Sequence, residues 1–204
     1  DVTHVVQLSG SCLPTRPISE LKQFLANNRG TDFIESVVAG QKNWIKGGLE
    51  AERFSLYFPF SWRKQRFFFD IFVKMQRKLK VGRVMPAGLE PHVGSQWWAL
   101  CRETLTAILQ DPDRRKNDRF FAKCWIPDES YFQTLVRKHA KRIESRSLTF
   151  SRFDQQGNPM MIILNIWSIS KDFLCVRFGA RRRRFIKRCF LRNIPQADEI
   201  GRCA

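Results

Sequence analysis

Residues 2–35 read VTHVVQLSGSCLPTRPISELKQFLANNRGTDFIE, and this stretch decides the fold. Val2, His4, Val6 and Leu8 fall on one parity, the alternation of a half-buried strand. That strand runs into a tight loop at Ser9-Gly10-Ser11, which Pro14 and Pro17 then punctuate. Ile18, Leu21, Phe24 and Leu25 recur at helical spacing, and Asn27-Asn28-Arg29-Gly30 ends the helix. A short strand follows around Phe33-Ile34-Glu35. Strand, loop, helix and strand in that order predict an α/β domain with a largely parallel sheet. Such sheets bind ligands at the carboxyl ends of their strands, and the loop from Ser9 to Pro14 sits at such an end.

The whole chain has 204 residues and a mass of 24.1 kDa, enough for one domain. Hydrophobic residues make up 43%, so a core forms and wholesale disorder is excluded. Lys and Arg number 36 against 19 Asp and Glu, a formal net charge of +17. That balance predicts a polyanionic partner: nucleic acid, an anionic membrane or a phosphorylated small molecule. No apolar run approaches the ~18 residues of a membrane span, and no signal peptide is visible. The chain begins with Asp1 rather than Met and is read as a fragment. Its six cysteines show no CxxC and no zinc-type spacing, and are read as mostly reduced thiols in a reducing compartment.

Residues 40–90 read as irregular and aromatic. Trp44, Phe54, Tyr57, Phe58, Phe60, Trp62 and Phe67 to Phe69 interleave with Arg53, Arg63, Lys64 and Arg66. Interleaved aromatics and bases can form a platform for single-stranded nucleic acid. The favoured reading is an insertion whose aromatics pack on the main domain while its charges face solvent. Gly94-Ser95-Gln96-Trp97-Trp98 leads into a helix carrying Leu100, Leu105, Ile108 and Leu109, stopped by Asp111-Pro112. An apolar stretch at Phe120-Phe121 leads to Trp125-Ile126-Pro127-Asp128-Glu129. Pro127 suits a first helical turn, and Phe132, Leu135, Val136 and His139 mark one buried face. Asp128 and Glu129 therefore sit at that helix's N-terminus. Residues 159–204 hold ten Lys or Arg against three acids, among them the block Arg181 to Arg184.

Several of these residues carry chemistry. Glu129 is either a helix-capping carboxylate, favoured by the helix dipole, or a general base held on a rigid element. In Ser9-Gly10-Ser11, glycine permits close backbone approach and the hydroxyls can donate to phosphate or sugar oxygens. The Gly94–Trp98 string is either a sugar site, with indole faces stacking on pyranose rings, or a core tryptophan pair. Asp111-Pro112-Asp113 has the spacing of a metal site but reads as a turn. His4, His92 and His139 are scattered, and His139 reads as a satisfied core residue.

Four strings occur in order: Leu8-Ser9-Gly10-Ser11-Cys12-Leu13-Pro14, Asp32-Phe33-Ile34-Glu35-Ser36, Gly94-Ser95-Gln96-Trp97-Trp98 with Leu100, and Ile126-Pro127-Asp128-Glu129-Ser130-Tyr131-Phe132-Gln133-Thr134. Together they resemble the core-2/I-branching glycosyltransferase family, which includes peptide O-xylosyltransferases; the likeness covers roughly residues 1–158 and is strongest to bacterial members. The resemblance implies a GT-A-like, Rossmann-like domain that transfers GlcNAc or xylose from a UDP-sugar to an acceptor hydroxyl with inversion. It implies Glu129 as the base, no divalent metal and no cofactor beyond the donor itself. Ser9, Gly10 and Ser11 would lie near the donor. Arg177 and Arg181 would neutralise the leaving diphosphate. Ser95, Gln96, Trp97, Trp98 and Asp128 would line the sugar and acceptor pocket. The partners implied are a UDP-sugar and a glycan or protein acceptor. The location implied is cytoplasmic or membrane-associated in a bacterium, or the Golgi membrane in a eukaryote.

The chain departs from the family in four places. Cys12-Leu13 replaces the family's Asp-Tyr. Xylosyltransferases carry an acid at the position of Gln96, which bears on the choice between GlcNAc and xylose. The family's first nucleotide-binding strand is expected upstream of Asp1, leaving residues 1–158 a glycosyltransferase domain incomplete at its N-terminus. Its Phe-x-Ala-Arg-Lys string is met by Phe173-Leu174-Cys175-Val176-Arg177-Phe178, with Phe178 in place of Lys. Residues 159–204 are thus a basic tail, divergent or frame-shifted. The rival readings are a basic nucleic-acid-binding module and a glycan-binding relative without turnover.

Overall fold

The computed structural model describes residues 2–8, 12–14, 16–40, 49, 51–60, 64–150 and 175–177. Its central sheet has the order β1-β6-β3-β7, formed by His4–Val6, Trp98–Cys101, Asp32–Ile34 and Ile143–Glu144. Within this sheet β6 pairs antiparallel with both β1 and β3, and β3 pairs parallel with β7. The sheet is therefore mixed, not largely parallel. β1 and β3 do share a direction, as strand–helix–strand order requires, but β6 lies between them.

Side chains alternate across β3 and β6 and define two cores. Phe33 and Ala99 face one side, where α1 (Ile18–Asn27) packs Leu25, Leu21 and Phe24 on them. Ile34, Trp98 and Leu100 face the other. There α4 (Arg102–Leu109) and α6 (Tyr131–His139) bring Ile108, Leu135 and Val136. The result is an α/β/α stack with the sheet in the middle. α1 ends as its sequence predicts: the Asn28 side chain donates to the Phe24 carbonyl at 2.8 Å, and Gly30 turns the chain at φ +75°. Leu100 belongs to β6 rather than to the following helix, because its strand is buried on both faces.

Asp32 is fully buried and accepts from the Cys101 N–H at 2.7 Å and the Thr104 hydroxyl at 2.6 Å. It thereby caps the first turn of α4 from a neighbouring strand. Burial raises its pKa, against the pull of those two hydrogen bonds. A short pair, β4 (Val37–Val38) with β5 (His92–Val93), extends the chain beyond β3. A third sheet has the order β2-β9-β8, from Cys12–Pro14, Cys175–Arg177 and Thr149–Phe150. Pro14 thus ends a strand.

The region expected to be irregular holds α2 (Glu52–Ser55) and α3 (Arg66–Leu79). Leu49, Leu56, Phe69 and Val73 form a cluster under Phe58, Phe60 and Trp125. The packed-insertion reading holds for these aromatics. The Gln76 side chain clips α3 down, accepting from the Tyr57 N–H at 2.8 Å and donating to its carbonyl at 2.9 Å. Phe120 and Phe121 close α5 (Arg114–Phe121). Among the described residues no helix is long and apolar enough to cross a membrane, and Cys101 and Cys124 are free thiols.

Candidate active site

Glu129 ends a one-turn 3-10 helix, Pro127–Glu129, that runs directly into α6. Pro127 fixes φ at the first position of that turn. Ile126 before it takes φ +52°, a left-handed conformation that a β-branched residue adopts only under constraint. The Ser130 N–H bonds back to the Pro127 carbonyl at 3.1 Å, and the buried Ser130 hydroxyl reaches the same oxygen at 3.3 Å. The turn is stiff, and the Glu129 side chain it carries stays 32% exposed.

Behind that carboxylate stands Arg53, with a side chain fully removed from solvent. Its Nη1 lies 3.6 Å from Glu129 Oε2, and its guanidinium sits 5.5 Å from the Trp125 ring centre. Burial raises the Glu129 pKa above the ordinary glutamate value; the Arg53 charge opposes this and the neighbouring, exposed Asp128 adds to it. The balance leaves a carboxylate more basic than usual, facing solvent, with one cation at its back.

The other strings converge on this turn. The Gly94 N–H donates to the Glu129 carbonyl at 3.0 Å, and Gln133 Nε2 donates to the Ser95 carbonyl at 2.6 Å. Ser95 Oγ accepts from the Trp97 N–H at 3.2 Å, closing a local turn. Gly94 must be glycine: a Cβ there would lie 1.9 Å from the Glu35 carbonyl oxygen. The Glu35 carboxyl is half-buried, its pKa raised by burial and lowered in part by the Ser95 backbone N–H. Ser36 completes the knot, donating to the Gln133 carbonyl at 2.8 Å and accepting from Arg137 Nε at 2.8 Å.

These bonds join the loop that carries Ser95 and Gln96, both half-buried, to the turn that carries Asp128 and Glu129. Trp98 is not a stacking platform. It is a core residue, 7% exposed, with its ring 4.6 Å from that of Phe132. Trp97 is 4% exposed, and its carbonyl accepts from the Ser147 hydroxyl at 3.2 Å. The loop candidates Ser9, Gly10 and Ser11 lie outside the described residues, as do Arg181 and the Arg block. Their flanks are described: the Gln7 N–H donates to the Trp98 carbonyl at 2.8 Å, so the chain enters that loop beside the Gly94–Trp98 string. Arg177 is described by its backbone, which pairs in register with Cys12, one residue beyond Ser11.

Arg53 and Glu35 were not singled out by sequence reasoning. Arg53 stood among many bases, and its only signal was its place between the apolar Leu49, Phe54 and Leu56. Asp111 is the turn residue expected: its carboxylate accepts from the Asp113 N–H, Lys138 Nζ and His139 Nε2, each at 2.8 Å. Among the described residues no group of three or more His, Cys, Asp and Glu is placed to hold a metal.

The chain is similar to known proteins. Xylosyltransferase 2 of Rattus norvegicus and of Homo sapiens are each 28% identical over 134 residues, covering 64% of this chain and 14% of theirs. Xylosyltransferase oxt of Drosophila pseudoobscura pseudoobscura is 31% identical over 142 residues, 65% of this chain. The chain spans 14% of the length of these curated relatives. The family model described as Core-2/I-Branching enzyme matches residues 2–174. With that match and its mixed α/β, GT-A-like fold, the chain belongs to the Core-2/I-branching enzyme family.

Proposed function

We propose that the protein transfers a sugar from a UDP-sugar, carrying GlcNAc or xylose, to an acceptor hydroxyl with inversion, using Glu129 as general base. The observation that supports this most is the state of Glu129 itself. It is a desolvated, solvent-reachable carboxylate on a stiff turn, tied through Gly94 to the loop that carries Ser95 and Gln96. A base with a raised pKa drives proton transfer better than an ordinary glutamate, provided it stays ionised at working pH. The charge of Arg53 serves that second need.

In the step itself the acceptor oxygen forms a bond to the anomeric carbon. The bond from that carbon to the diphosphate oxygen breaks, and UDP leaves with the electron pair. The acceptor proton passes to Glu129. Ser9, Gly10 and Ser11 would meet the donor, with Arg177 and Arg181 balancing the diphosphate charge in place of a divalent metal. The register of Arg177 opposite Cys12, the residue that follows Ser11 in the chain, supports its assignment to the donor side. Ser95, Gln96 and Asp128 would contact the sugar or acceptor, with Trp97 and Trp98 shaping the site from within. The similarity to xylosyltransferases supports sugar transfer as the reaction class.

The test is to incubate the full chain with UDP-GlcNAc or UDP-xylose and a panel of glycan and peptide acceptors. The reading predicts acceptor-dependent UDP release and a β-linked product from the α-linked donor. A product of retained configuration would overturn the mechanism. Glycan affinity without UDP release would make the chain a binding relative instead.

A further inference from the structure

Helix α3 is held to the fold by one face. Phe69, Val73 and Gln76 are buried, while Phe67, Phe68, Ile71, Met75 and Leu79 are 44–71% exposed. Phe68, Ile71, Met75 and Leu79 follow at spacings of three and four and line a single stripe. Val81 and Val84, past the helix end, are also exposed. One exposed apolar side chain is ordinary, but a run of this size along one helix marks an interaction surface.

The stripe has a basic border. Lys74 and Lys78 are exposed on the arc next to Ile71 and Phe67, and exposed Lys64 and Lys80 flank the helix ends. Residues 64–83 hold seven Lys or Arg and one acid, Asp70, which lies 4.0 Å from Arg66. Arg77 turns away from this border, donating to Glu52 at 2.8 Å. A second copy of the chain would bring this same basic border against itself, which like charge opposes. An anionic bilayer supplies both missing partners: an apolar layer for the stripe and a dense negative plane for the lysines, whose stems can reach outward. Lys and Arg on one arc with Phe, Leu, Ile and Met on the next is the pattern of a helix lying in the membrane interface. With 14 residues, α3 is too short to span, and lying flat is the geometry open to it.

We propose that α3 docks the protein on an anionic bilayer surface, with Phe68, Ile71, Met75 and Leu79 at the acyl boundary and Lys74 and Lys78 among the headgroups. This does not depend on the catalytic reading. The test is co-sedimentation of the full chain with phosphatidylcholine vesicles with and without phosphatidylglycerol, at physiological salt. Binding is expected only with phosphatidylglycerol. The pair Ile71→Ser/Met75→Ser and the pair Lys74→Glu/Lys78→Glu should each lower it by about tenfold or more. All four positions face solvent, so both variants should keep the parent circular dichroism. As an independent readout, Met75→Trp should show blue-shifted fluorescence on anionic vesicles. Absence of binding, or of that shift, would overturn the proposal. So would binding that Ile71→Ser/Met75→Ser leaves intact, since charge alone would then explain it. A dimer broken by the same pair, or retention of single-stranded DNA that depends on it without vesicle binding, would assign the face to another occupant.

Discussion

The two ends of helix α6 each meet a carboxylate, and the two are treated in opposite ways. At the C-terminal end Asp111 is buried and fully supplied with donors: Lys138, His139 and the Asp113 N–H. Its carboxyl is held down to about 2, chiefly by the Lys138 hydrogen bond. At the N-terminal end Glu129 is partly exposed, faces one guanidinium at 3.6 Å and is pushed up by burial. A buried carboxylate that accepts from three donors fastens two elements together. A carboxylate deprived of water and only partly compensated keeps an appetite for protons, and that is what a base requires.

The comparison breaks most violently at Arg53. Replacing it with Met removes the buried charge that faces Glu129 and the cation over Trp125. We expect a loss of about 3–5 kcal/mol in stability, read by urea denaturation. Arg53→Lys keeps the charge and should recover part of it. A Met variant as stable as the parent would show that the pair contributes little. Gly94→Ala attacks the same end through the backbone. Its Cβ cannot coexist with the Glu35 carbonyl, so the strand or the loop must shift, at about 1–3 kcal/mol. The Gly94 link to the Glu129 carbonyl should break with it, and turnover should fall along with the melting temperature.

At the other end, Asp111→Asn should cost about 1–3 kcal/mol while leaving turnover near the parent value. A selective loss of turnover would mean the two ends are not divided as described. The pH dependence sharpens the contrast further. Because the folded pKa of Asp111 lies below its ordinary 3.8, its stabilisation is present above that value and is lost as pH falls towards about 2. Glu129 has the opposite sign. Its raised pKa means that the charged form weighs against the fold, a cost absent below the ordinary value of 4.5 and incurred as pH rises through the raised one. In activity, the acid limb of kcat/KM should fall at a pH above the ordinary glutamate value of 4.5. A limb at or below that value would argue against Glu129 as the base.

Much of the Glu129 end could be read from residues, because local chemistry dictates it. Pro127 starts the turn, Asp128 and Glu129 follow at fixed positions, and Leu135 and Val136 bury the next face. The convergence of the strings was not legible. β6 enters between β1 and β3 from more than 60 residues away, and no local pattern reports which strand will be a neighbour. Helix α3 escaped because its Phe67-Phe68-Phe69 run puts apolar residues on three faces and blurs the helical period. Arg53 escaped because a base beside aromatics ordinarily turns its head to water, and here it does not. Trp98 allowed two readings, and the alternation of β6 decided for the core.

The central claim is that Glu129 takes the acceptor proton. It is tested most directly by single-turnover transfer with Glu129→Gln at saturating donor and acceptor, alongside a direct measure of UDP-sugar affinity. The account predicts a rate lowered by about 10²–10⁴ with donor affinity within a few-fold of the parent. Transfer at nearly the parental rate in the folded variant would contradict it.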